Sequence, residues 1–147
     1  MATTPAAIAN LTQVVPFLGV TDMERSLRFY RDGLGFAMKN KWEPEGKLRW
    51  CWLTRGGASV MLQEYLPGRR PEGVLGQGVS LCFQCEDAVA LYREFLSRGI
   101  EADEPFVGNS MWVTVLTDPD GYKLDFESMT DVPEETKLSE AEGQEKH

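Results

Sequence analysis

Histidine is nearly missing from this chain: the one imidazole is His147, the last of 147 residues. Its scarcity excludes Ser–His or Cys–His nucleophile pairs, and any imidazole-based metal site, in the body of the protein. Cysteine is sparse too. Three thiols, an odd number, make no disulfide framework and fit a reducing compartment. Cys82 and Cys85 spell C-F-Q-C, but they fall in the apolar run GVSLCFQC, where residues three apart point to opposite faces of a strand. With no second pair to complete a thiolate site, they read as structural cysteines. No stretch approaches the run of about 18 apolar residues that a membrane span requires. The opening MATTPAAIANLTQ lacks a basic segment followed by an apolar one, so no signal peptide is expected and the cytoplasm is the default compartment. Basic residues are in deficit, 15 Lys and Arg against 23 Asp and Glu, for a net charge of −8. That balance argues against a phosphate-backbone partner, so neither nucleic acid nor membrane is expected.

What the chain does contain is a doubled unit. LGVTDMERSLRFYRDGLGF (18–36) is followed by FQCEDAVALYREFLSRGI (83–100), and a shift of 65 places Asp22 on Asp87 and Tyr30 on Phe95. A one-residue deletion then brings Gly35 onto Gly99 and Phe36 onto Ile100. The later parts repeat as well: SVMLQE (59–64) lies over KLDFES (123–128), with Gly57 on Gly121. Two copies of one unit imply a pseudo-symmetric fold, in which each position can be checked against its counterpart.

Each unit reads as strand, helix, then three strands. In the first, QVVPFLGV (13–20) is a β-rich run, and Thr21 with Glu24 has the pattern of a capping box. Met23, Leu27, Tyr30 and Leu34 then form one helical apolar stripe, which Gly33 and Gly35 end. Strands are expected at 36–42, 47–54 and 58–64. The second unit offers a strand at 79–85, Asp87 as helix cap, and a stripe of Leu91, Tyr92, Phe95 and Leu96. Strands are expected near 100–106, 111–117 and 122–128, with DPDG (118–121) as the last turn. The expected organisation is an N-terminal extension (1–12), a first βαβββ module (13–65), a Pro/Gly-rich linker (66–78), a second module (79–128), and an acidic, disordered tail (129–147). The fold class is α+β, with two tandem βαβββ modules forming a cupped, pseudo-two-fold mixed sheet with a cleft.

This grammar, with VTDMERSLRFYRDGLGF and DPDGYKLDFES as its most specific segments, resembles the vicinal oxygen chelate superfamily. Its members include glyoxalase I, extradiol dioxygenases, fosfomycin-resistance enzymes and bleomycin-resistance proteins. In metal-dependent relatives, one side chain from the first and one from the fourth strand of each module hold a divalent ion. Carried over, those positions are Val15, Met61, Ser80 and Asp125. Only Asp125 is a strong ligand type, so the resemblance implies a member without the metal chemistry.

Strand alternation puts Phe17, Gln63, Cys82 and Glu127 on the same faces, two residues from those four positions. The third strands offer Trp50 and Trp52, or Cys51, and Trp112 or Thr114, with parity unsettled. Aromatics on strands are ordinarily core residues. The expected ligand-binding set is Phe17, Met61, Gln63, Ser80, Trp112, Asp125 and Glu127, with no metal and no cofactor, and no catalytic residue is identified. A planar or cationic small molecule suits such a pocket through stacking, cation–π contact and carboxylate pairing. The resemblance implies a sequestering, bleomycin-resistance-like protein working as a homodimer. The alternatives are a glyoxalase- or dioxygenase-type enzyme with a divalent metal, at low occupancy, anchored by Asp125, or a scaffold with a vestigial cleft.

Overall fold

The computed structural model describes residues 9–145. In the first module, β1 (Phe17–Val20) leads to α1 (Met23–Leu27), which runs on as a π-helical turn (Arg28–Gly33). β2 (Ala37–Trp42), β3 (Trp50–Arg55) and β4 (Ala58–Glu64) complete it. The second module comprises β5 (Ser80–Gln84), α2 (Ala88–Ser97), β6 (Phe106–Gly108), β7 (Met111–Thr117) and β8 (Lys123–Met129). A final helix, α3, spans Leu138–Glu145. Each module folds its own four-stranded sheet, ordered β1-β4-β3-β2 and β5-β8-β7-β6, with the first pair parallel and the rest antiparallel. The α+β class and the tandem βαβββ plan expected from the repeat are what the chain adopts.

The pseudo-symmetry extends to single hydrogen bonds. Asp22 caps α1 by accepting from Arg25 N, and Asp87 caps α2 by accepting from Ala90 N. The next free helical N–H is satisfied from the fourth strand in both halves: Met23 N donates to Glu64 Oε2, and Ala88 N to Ser128 Oγ, each at 2.8 Å. The expected cap at Thr21 is therefore one residue early. Its hydroxyl and N–H are instead drawn to Asp120, at 2.6 and 3.2 Å, in the other module.

One core joins the modules. The helix-side residues of the first sheet, among them Leu18, Val20, Cys51, Leu53, Val60 and Leu62, share a buried cluster with Leu116, Leu124 and Phe126 of the second. Phe83 stacks on Phe126 with ring centroids 4.9 Å apart, and Phe36 meets Phe83 edge-on at 6.1 Å. Each large side chain so buried contributes about 2–3 kcal/mol. Polar clamps add direction: the buried Tyr30 hydroxyl donates to Asp118 (2.8 Å), and Arg55 makes two hydrogen bonds to Glu94 (2.8 and 2.9 Å).

Three sequence expectations shift. β1 is shorter than 13–20, although Pro16 O still accepts from Met61 N. β6 begins at Phe106 rather than near 100, after the segment EADEP, whose proline has no N–H for a ladder. Residues 130–138, in the segment expected as a disordered tail, are docked. Glu135 N donates to Val107 O, Val107 N to Thr136 O, and Leu138 N to Pro105 O, while Leu138 itself is buried. The edge strand β6 offers unpaired backbone groups, and any chain that reaches them can bond regardless of its side-chain polarity. His147 lies outside the described residues.

Candidate functional site

Register assigns every strand residue to a face. In the first sheet, Phe17 pairs with Met61, Met61 with Trp52, and Trp50 with both Gln63 and Trp42. These residues share the face turned away from the core, and Cys51 lies buried on the other. The face is aromatic and open, with Phe17 56% and Trp42 57% exposed and Trp50 and Trp52 half-buried. The Lys39 ammonium sits 4.3 Å from the Trp52 ring centroid, so a cation is already accepted there. Trp52 Nε1 is buried without a hydrogen-bond partner.

In the second sheet, Cys82 pairs with Asp125, Gln84 with Glu127, Val115 with Asp125 and Val113 with Glu127. This face is acidic. The Cys82 thiol donates to Glu127 Oε1 at 2.9 Å, and Gln84 Nε2 approaches Cys82 Sγ at 3.2 Å. Burial, and then the neighbouring Glu127 charge, push the Asp125 carboxyl above its ordinary value. Burial, reinforced by the bond to Glu127, likewise raises the Cys82 thiol, which makes it a poor nucleophile.

The expected site residues thus fall into two groups. Phe17, Met61 and Gln63 share the aromatic face; Ser80, Asp125 and Glu127 share the acidic one. Both faces are on the sides of their sheets turned from the common core, so one chain does not gather them into one pocket. Trp112 stands apart: it pairs with Ser128 and shares the core side of β7 with the buried Thr114. The cause is a turn. Thr54 pairs with Ser59 across the first, whereas Thr117 pairs with Lys123 across the second, which is one residue longer. The third strands therefore match at an offset of 63 rather than 64, and Val113 and Val115, not Thr114, occupy the counterparts of Trp50 and Trp52. Trp42 and Lys39 were not singled out from the sequence; the alternation of Trp42 with Trp50 and Trp52 across the hairpin was the available signal.

The four family metal positions do not fit a divalent ion. Val15 lies before β1, Met61 belongs to one sheet and Ser80 and Asp125 to the other, and Ser80 lies beside Lys123 rather than Asp125. Among the described residues, no three His, Cys, Asp or Glu side chains come together in a metal-holding group. No described helix is long and apolar enough to cross a membrane.

A family model described as the Glyoxalase/Bleomycin resistance protein/Dioxygenase superfamily matches residues 10–126. The chain belongs to that superfamily. Its fold is shared with a bleomycin-binding protein solved in complex with bleomycin (24% identity over 80% of this chain and 98% of that one, TM-score 0.64). It is also shared with the bleomycin resistance determinant encoded on the transposon Tn5 (24% identity, 83% and 100% covered, TM-score 0.65). A third such structure is TnmS3, an antibiotic binding protein from Streptomyces sp. CB03234 (22% identity, 81% and 98% covered, TM-score 0.62). Among curated proteins no match is found.

Proposed function

We propose that this protein binds and sequesters a planar or cationic small molecule without a metal, as a homodimer. The observation that carries the reading is the division of labour between the two sheets. One offers open indole and phenyl rings, and the other offers Asp125 and Glu127 beside Cys82. A two-fold pairing that sets the aromatic face of one copy over the acidic face of its partner completes two equivalent clefts, each with a stacking platform and a counter-charge. The raised Asp125 carboxyl belongs to such a site: a bound cation relieves the crowding of two carboxylates on one face. That a bleomycin-binding protein and an antibiotic binding protein share this fold supports the reading.

The test joins sedimentation with calorimetry. The protein should sediment as a dimer and bind bleomycin or a planar cationic dye saturably, with Trp52→Ala or Asp125→Asn weakening binding about tenfold or more. A monomer that ignores a broad panel of such compounds would count against the reading. Retention of about one divalent ion per chain, lost in Asp125→Ala, would favour the enzymatic alternative instead.

A further inference from the structure

A cavity of about 880 Å³ lies between the modules, bounded by the β3–β4 turn, the end of β5 and α2. It is separate from both sheet faces. Its floor is the half-buried Phe83 ring with the edges of the core residues Phe36, Phe95 and Phe126 around it, and its volume suits a small ligand. The repeat explains why it exists. Counting back from the fourth strands, Ala58 of the first module stands where Tyr122 stands in the second. Tyr122 reaches across to the other module and donates its hydroxyl to Gly19 O at 2.8 Å. The counterpart of Gly19 is Gln84, one of the residues lining the cavity. β5 is an edge strand, and Cys85 N bonds to Glu127 O, so alternation turns the Gln84 carbonyl outward from the sheet. The cavity is thus the place of a phenol that one half of the molecule supplies and the other half lacks.

The rim says what else the occupant carries. In the filled half, Asp120 is received by Thr21 and by Arg25 (3.1 Å). In the open half, Gly56 replaces Asp120, Glu86 replaces Thr21 and Ala90 replaces Arg25. A carboxylate thus loses its guanidinium partner and meets an acid. Asp87 adds a second negative charge, and Arg55 is already held by Glu94 and by Leu34 O. We propose that this cavity binds a small phenol-bearing amine, its ring on the phenylalanine floor, its hydroxyl donating to the Gln84 carbonyl, and its ammonium at Glu86 and Asp87.

Tyramine is the probe, titrated into the full chain at pH 7 and followed by amide chemical shifts and calorimetry. Saturable binding should move the amides of residues 55–58 and 83–87. Phenethylamine, lacking the hydroxyl, should bind roughly fivefold more weakly, and 4-hydroxyphenylacetate should not bind. Ala58→Tyr restores the missing ring from within, so it should cut tyramine affinity more than tenfold while holding or raising the melting temperature. Glu86→Lys, on the exposed rim, should weaken binding without altering the fold. Both variants should leave ligands of the sheet faces unaffected, which keeps this site's test apart from that of the proposed function. Unsaturable binding, equal binding of the acid, or unchanged affinity in Ala58→Tyr and Glu86→Lys would overturn the assignment.

Discussion

Replacing Tyr30 by Phe removes one oxygen from the interior and tests how the modules are clamped. The Tyr30 hydroxyl is fully buried and donates to Asp118 Oδ2 at 2.8 Å, while Asp118 also accepts from the N–H groups of Asp120 and Tyr122, both at 2.9 Å. A buried hydrogen bond to a charged group contributes about 1.5–3 kcal/mol. Because two backbone donors remain, the loss should fall near the lower end, about 2 kcal/mol at pH 7, which lowers Tm by roughly 6 °C for a chain of this size. The pH dependence is the sharper test. Burial raises the Asp118 carboxyl above its ordinary value, and the Tyr30 bond is the largest influence holding it down. A raised carboxyl costs nothing below its unfolded value, and its cost grows as pH rises through the folded value. Removing the hydroxyl raises it further, so the penalty of Tyr30→Phe should be full at pH 7 and should shrink in acid, where Asp118 is protonated in both proteins. Tyr30 itself stays a donor throughout, since burial and the Asp118 charge hold its own ionisation far above neutrality. Urea unfolding of both proteins at pH 7 and near pH 3.5 measures the difference. A penalty that is constant with pH, or that grows in acid, would refute the reasoning.

Two further substitutions probe other parts of the structure. Asp125→Asn should raise stability at neutral pH and leave it unchanged well below pH 4, because burial and Glu127 raise that carboxyl too and its cost appears only as pH rises; thermal melts across pH check the sign. Glu134→Ala removes the acceptor for Asn109 N (2.7 Å) and Ser110 N (2.9 Å), two turn residues held at φ 51° and 64°. This exposed site should lose about 0.5–1.5 kcal/mol in urea titration and show raised amide exchange at the β6–β7 turn.

Much of the fold was legible because the repeat is carried by residues with a fixed local job. Asp22 and Asp87 cap helices, Gly35 and Gly99 take φ values of 78° and 83° after them, and the fourth strands alternate in step. Strand faces were legible by the same alternation: Phe17 on β1, Met61 and Gln63 on β4, and Asp125 and Glu127 on β8 fall on the faces it assigns. Trp112 was not, because one extra residue in the Asp118–Tyr122 turn reverses the parity of everything upstream of it in the hairpin, and turn length is invisible to a periodicity argument. The docking of the acidic segment was not legible either. Its bonds to β6 run between backbone groups, so composition carries no trace of them.

The two copies have diverged in complementary directions, and that bears on how the molecule would assemble. Met61 occupies the position that Asp125 holds in the second module, Gln63 that of Glu127, and Trp50 and Trp52 those of Val113 and Val115. Had both sheets kept acids, any pairing of faces between two copies would bring four carboxylates together. Had both kept indoles, either face could stack on any other, with no preferred register. With the rings on one sheet and the acids on the other, like-face pairing sets acid against acid or leaves the acids unserved. Unlike-face pairing gives every cleft one platform and one counter-charge. The proposed two-fold dimer satisfies that condition twice and closes on itself, leaving no unmatched face to propagate. The inter-module cavity follows the same logic at smaller scale, since Tyr122 fills in one half the space that Ala58 leaves open in the other.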